Sequence, residues 1–203
     1  GIRRLIASLN QRTDKAKAAP IGDAVSDGNY YRAGRLAFEQ GDWATAARHF
    51  LRGGRTLDAA RAFRKGEAWD RAAELFEQAR DFPAAAFCFE KQGNLHAQLR
   101  MLEAADDLAG AAALAERLGD ARRAAELWLR QGRTAEAAEL FIKGGDPKRG
   151  ALLQAEALMA ADQPREAAER WLAAGEWARA LQCFDAVDDH EQAAELLVRL
   201  ERL

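Results

Sequence analysis

β-Branched residues are scarce in this chain of 203 residues: three Val, four Ile and four Thr. A sheet needs many more, because branched side chains fill its pleated surface, so an all-β or α/β fold is excluded. Cysteine is rarer still. Cys88 and Cys183 match no metal-binding or redox spacing, and a reducing, cytoplasmic compartment is expected. No stretch free of Asp, Glu, Lys and Arg exceeds eight residues, whereas a membrane span needs about 20 apolar ones, so none is expected within the sequence. Residues 1–20 lack the apolar centre of a signal peptide. A charge excess is missing too. Thirty basic side chains stand against 32 acidic ones, which disfavours a general nucleic-acid binder.

Alanine is abundant, at 48 residues, and it loses no side-chain entropy in a helix. Arg outnumbers Lys 24 to 6, a compositional association with GC-rich bacterial genomes. Sixteen aromatic side chains supply enough bulk for a core and argue against disorder.

The chain repeats. Gly41-Asp42-Trp43, Gly119-Asp120-Ala121, Gly145-Asp146-Pro147 and Gly175-Glu176-Trp177 share one phrase, and their spacing fits a unit of 13 residues. Thirteen units run from Gly28 to Leu200, with four extra residues between the units that begin at 145 and 162. Column 1 of the unit is Gly in eight cases, which suits a positive φ just past a helix. Column 2 is Asp or Asn in eight: Asn29, Asp42, Asp81, Asn94, Asp107, Asp120, Asp146 and Asp189. Those side chains accept hydrogen bonds from the free N–H groups that open a helix. Column 3 would be the first helical residue, where Pro147 and Pro164 fall. Columns 6 and 7 are mostly Ala, and column 10 carries Phe50, Phe63, Phe76, Phe89, Trp128, Phe141, Trp171 and Phe184. Columns 3, 6, 7 and 10 trace one buried helical stripe.

Each unit therefore predicts a helix of about 10 residues, too short to stand alone in water. Short links make successive helices antiparallel. The expected fold is all-α: a right-handed α–α superhelix, or α-solenoid, of about 13 short helices over residues 28–203. The phrase from Tyr30 to Phe50, with Ala33-Gly34, Phe38, Gly41-Asp42-Trp43, Ala46-Ala47 and Phe50, resembles the tetratricopeptide-repeat superfamily. It departs in period, since that family repeats every 34 residues and these hairpins every 26. The short unit is also similar to helical repeats of vesicle-coat, intraflagellar-transport and membrane-fusion adaptor proteins. The resemblance implies a protein-binding scaffold and transfers no individual residue.

Residues 1–27 read as a basic N-terminal helix and linker. Ile2, Leu5, Ile6 and Leu9 form an apolar stripe beside Arg3, Arg4, Arg12, Lys15 and Lys17, and Thr13–Val25, with Pro20 and Gly22, reads as the linker. Residues 2–17 are thus expected to be a membrane-surface helix, a cap on the first repeat or a disordered chain end. Charge is uneven along the rest. Residues 1–71 carry +6 and residues 154–203 carry −6. Arg48, Arg52, Arg61, Arg64 and Lys65 cluster in two successive units and are the candidate docking residues for an acidic protein or peptide.

Catalytic and cofactor motifs are missing. His49, His96 and His190 lie in separate units with no nucleophile or metal-ligand spacing, and Gly53-Gly54 and Gly144-Gly145 lack the Lys-Ser/Thr of a phosphate loop. Cys88 and Cys183 share column 9 with several Leu and are expected in or beside the core. Trp43, Trp69 and Trp177, in column 3, lie nearer a rim and are expected to pack on the preceding turn. A non-enzymatic interaction scaffold without cofactors is the leading expectation. The alternative is a cytosolic regulatory or sensory domain of a membrane-anchored protein, tethered through its basic N-terminus.

Overall fold

The computed structural model of the chain describes residues 18–200, and these form helices joined by short turns, with no strand among them. The chain divides between Ala105 and Asp106 into two compact units. The first holds α1 (18–26), α2 (Tyr30–Glu39), α3 (Trp43–Arg52), α4 (Thr56–Lys65), α5 (Trp69–Gln78), α6 (Phe82–Gln92) and α7 (Leu95–Ala104). The second holds α8 (Leu108–Arg117), α9 (Ala121–Arg130), α10 (Thr134–Lys143), α11 (Pro147–Ala160), α12 (Pro164–Ala173), α13 (Trp177–Ala186) and α14 (His190–Leu200). Within each unit every helix packs chiefly on its neighbours in sequence, as in a helical-repeat solenoid.

The 13-residue period is a helix of ten residues plus a link of three. The link between α2 and α3 shows how it is built. The Gly41 N–H donates to the Phe38 carbonyl at 3.0 Å, and the Asp42 N–H to the Ala37 carbonyl at 3.0 Å. This is a Schellman closure, which satisfies the free carbonyls at a helix C-terminus. The Asp42 side chain then accepts from the Thr45 N–H at 3.1 Å and opens α3. One residue thus closes a helix with its backbone and opens the next with its carboxylate. All eight Asp and Asn residues of column 2 make this capping bond. Arg55, Ala68, Arg133, Gln163 and Glu176 occupy the same place without one.

The left-handed turn is more general than its glycines. Gly28, Gly41, Gly54, Gly93, Gly119, Gly132, Gly145 and Gly175 all have φ between 68° and 84°. Glu67, Arg80, Asp106, Asp162 and Asp188 hold the same column at φ of 55° to 59°. Packing imposes the conformation whether or not the residue favours it.

Columns 6 and 7 lie where helices approach most closely. Ala46, Ala47, Ala59, Ala60, Ala72, Ala73, Ala124 and Ala125 are fully buried. At Gly34 a Cβ would stand 2.6 Å from the Phe50 ring, so even Ala is too large there. The column 10 rings of Phe50, Phe63, Phe76, Trp128, Phe141, Trp171 and Phe184 are buried behind them. Column 9, expected in or beside the core, lies inside it at Cys88, Met101, Leu114, Leu127, Cys183 and Leu196. Column 3 is half-buried from Tyr30 to Thr134.

The expected linker is corrected over its described part, because residues 18–26 are helical. Pro20 and Gly22 signal a break, yet Ile21 packs on the first core and Ala24 is 1% exposed. Ala24 falls in column 10 of a unit that would begin at residue 15, and its carbonyl accepts from the Asn29 N–H at 2.8 Å, as in every Schellman closure here. The repeat reaches one helix further upstream than its composition shows. Residues 2–17, read as a basic helix, lie outside the described residues.

Candidate functional site

Helices two apart in sequence lie side by side. In the second unit, basic side chains of column 4 reach acids in column 2 two repeats later. Arg122 meets Asp146 at 3.9 Å, Lys148 meets Glu176 at 3.9 Å and Arg165 meets Asp189 at 2.6 Å. The first unit makes the corresponding contact differently: Arg55 lies 5.0 Å above the Tyr31 ring.

Between α2 and α4, α8 and α10, and α11 and α13, the two helices flank a shallow cleft floored by a column 10 ring of the helix between them. The first cleft, about 300 Å³, lies between α2 and α4. Phe50 of α3 forms its floor, Tyr31 and Phe38 one side, and Asp58 and Arg61 the other. A second hollow, about 380 Å³, continues it along Arg55, Thr56 and Leu57, and shares Asp58 and Arg61. Asp58 accepts from Arg55 Nε at 3.0 Å and from Arg61 Nη1 at 3.3 Å. Two guanidinium groups therefore share one carboxylate. On the opposite wall, Arg35 and Glu39 pair at 3.1 Å and cancel.

Two clefts in the second unit repeat the construction with other walls. One, over Trp128, is flanked by Glu116, Glu136 and Glu139. Trp128 Nε1 donates to Glu116 at 2.8 Å, Arg133 lies 4.2 Å from the Trp128 ring, and Arg133 also pairs with Glu136. The hydrogen bond from Arg133 holds the Glu136 carboxyl below its ordinary pKa. The other, over Trp171, is flanked by Met159, Arg179 and Gln182, with Arg179 at 4.7 Å from the ring.

Of the five docking residues read from sequence, the structure brings only Arg61 to a cleft. Arg48 is exposed on α3 and donates to Thr45 Oγ1 at 2.8 Å. Arg64 lies 5.5 Å over Phe76, while Arg52 and Lys65 are exposed near helix ends. Arg35, Arg55 and Tyr31 were missed. A sequence signal existed for a related feature: a column 10 ring followed eight residues later by Arg. Phe63 with Arg71, Phe141 with Arg149 and Trp171 with Arg179 all stack in this way, at 4.2 to 5.5 Å.

The remaining polar and aromatic candidates have structural places. His49 is half-buried with Nδ1 unpartnered, and burial, with Arg52 and Arg48 beside it, pushes its pKa down. Burial pushes the Cys88 and Cys183 thiols up, away from reactive thiolates. Trp43 packs edge-on against Phe38 of the preceding helix at 4.7 Å. No cluster of three or more potential metal ligands occurs among the described residues. No described helix is long and apolar enough to cross a membrane. No protein-family model matches the chain, and no curated protein matches it.

Proposed function

We propose that the chain is a non-enzymatic interaction scaffold of the tetratricopeptide-like class, docking an acidic protein or peptide along the α2/α4 cleft. The observation that supports this is the sharing of Asp58 by Arg55 and Arg61 beside Tyr31, a residue 44% exposed. One guanidinium charge is left for a partner carboxylate, and an aromatic floor is left for its neighbouring apolar side chain. The surrounding charge agrees: between residues 28 and 65 there are eight basic and three acidic side chains. Repeat surfaces of this kind act through contact rather than chemistry, and the variable walls of successive clefts suit that role.

The test uses the whole chain as bait in an affinity capture, followed by calorimetry on the recovered partner at two salt concentrations. Tyr31→Ser with Arg61→Glu is expected to abolish binding, while reversal of Arg48, Arg52 and Arg64 to Glu slows association and leaves most affinity intact. Binding that ignores the Tyr31 and Arg61 changes, with helical content unaltered, refutes this site.

A further inference from the structure

The last described helix, α14, leaves open the face that its predecessors cover. Ala193 and Leu196 are buried against the preceding helices. Ala194, Leu197 and Val198 are exposed, the latter two by 48% and 46%. These three stand at i, i+3 and i+4 and form one stripe. Column 7 Ala is fully buried at Ala112, Ala125, Ala138 and Ala168 of the same unit, and column 10 is buried at Trp128, Phe141, Trp171 and Phe184. In α14 those columns are Ala194 and Leu197. In α9, α10 and α12 a small residue stands beside a large apolar one where the next helix seats, so this stripe has the shape of a helix-docking face.

Its rim specifies the occupant. Glu191 and Glu195 stand exposed within one turn of the stripe on α14, Asp185 near the end of α13 and Asp188 in the link before α14 are exposed too, and Arg199 is the exposed cation of α14. An apolar stripe with an acidic rim fits an amphipathic helix with a basic one. The sequence of this chain contains such a segment. Ile2, Leu5, Ile6 and Leu9 recur at i, i+3, i+4 and i+7, beside Arg3, Arg4, Arg12, Lys15 and Lys17 against a single Asp14. We infer that the open face of α14 binds residues 2–12 of a second copy of the chain, joining copies basic end to acidic end. A head-to-tail contact of this kind is heterologous, so it adds copies in series rather than closing as a symmetric dimer.

Light scattering on the full chain tests this. The mass is expected to rise with protein concentration at low salt and to fall back as salt screens the rim. Leu197→Glu places a charge on an exposed position and is expected to hold the chain as a single copy with unchanged helical content. A fluorescent peptide of residues 1–17 supplies the second readout. It is expected to bind the full chain, to lose that binding when its Leu5 and Leu9 are replaced by Ser, and to ignore the Leu197→Glu protein. A chain that stays a single copy at every concentration and salt overturns the inference. So does association that survives Leu197→Glu, or a peptide that binds both proteins alike.

Discussion

Arg165 and Asp189 lie 24 positions apart in sequence and 2.6 Å apart in space. Asp189 also accepts the Gln192 N–H at 3.3 Å, so one carboxylate caps α14 and ties it to α12. The two tasks separate on mutation. Arg165→Ala removes an ion pair whose cation is largely exposed, and is expected to cost under about 1 kcal/mol, with a salt-sensitive share. Asp189→Ala removes the cap as well and is expected to cost about 1–2 kcal/mol. Thermal unfolding at low and high salt distinguishes them; equal losses would show that the cap contributes nothing.

The five link positions without a capping side chain offer a gain. Ala68→Asp and Gln163→Asp are expected to stabilise by about 1 kcal/mol, and Asp120→Ala to cost a similar amount. Denaturant titration of the three variants reads both directions. A neutral Ala68→Asp would mean that the N-terminus of α5 is already satisfied by solvent.

Glu67 and Arg80 hold left-handed backbone with side chains that disfavour it. Glu67→Gly and Arg80→Gly are expected to stabilise by about 0.5–1 kcal/mol, the left-handed penalty less the added freedom of the unfolded chain. Gly119→Ala, at φ 78°, is expected to destabilise. Calorimetric melting temperatures that move the opposite way in both glycine variants would contradict the assignment of strain.

Close helix approach predicts intolerance of bulk. Ala73→Leu and Ala125→Leu are expected to cost about 1–3 kcal/mol, because both sites are fully buried with no room to expand. Gly34→Ala is expected to destabilise as well, since its methyl group would drive the Phe50 ring aside. Unchanged unfolding midpoints in all three would defeat the packing described for columns 6 and 7.

His49 gives the pH dependence. Its folded pKa lies below the ordinary 6.5, so the unfolded chain takes up the proton first as pH falls. Stability is therefore unaffected by this group well above pH 6.5 and decreases as pH drops through that value toward the folded pKa. Asp42 faces the same group and partly offsets Arg48 and Arg52. His49→Gln is expected to flatten the fall in stability between about pH 7 and pH 5. Parallel pH profiles for the two proteins would remove His49 as the cause.

The repeat was legible because its signals are local. A Gly, an Asp and two Ala within seven residues report the turn, the cap and the closest contact of one helix. Residues 18–26 were hidden because Pro20 and Gly22 carry a strong local signal for a break, while the packing of Ile21 and Ala24 depends on helices that follow. The first cleft was hidden for another reason. Tyr31, Phe50 and Arg61 meet only because helices two apart lie side by side, whereas nearness along the chain puts Arg61 with Arg48 and Arg52 instead. The left-handed backbone at Glu67 and Arg80 is likewise set by the geometry of the link and not by the residue that occupies it.

The double use of the link residue restricts how such a chain can change length. Removing one period would leave every cap and closure intact and change side-by-side partners only around the deletion, yet each later helix would pass into the opposite row of alternate helices. Ion pairs such as Arg122 with Asp146 join helices of one row, so those beyond the deletion would keep their partners and be carried together into the other row. Edits that preserve the surface must therefore come as two periods together, the 26 residues of a hairpin. The four-residue excess in α11 obeys a related arithmetic: at about 100° per residue it adds one turn plus about 40°, so the helix lengthens while keeping nearly the same face inward. Duplication of hairpins, and insertion of whole turns, are the two ways this architecture can grow without redrawing its surface.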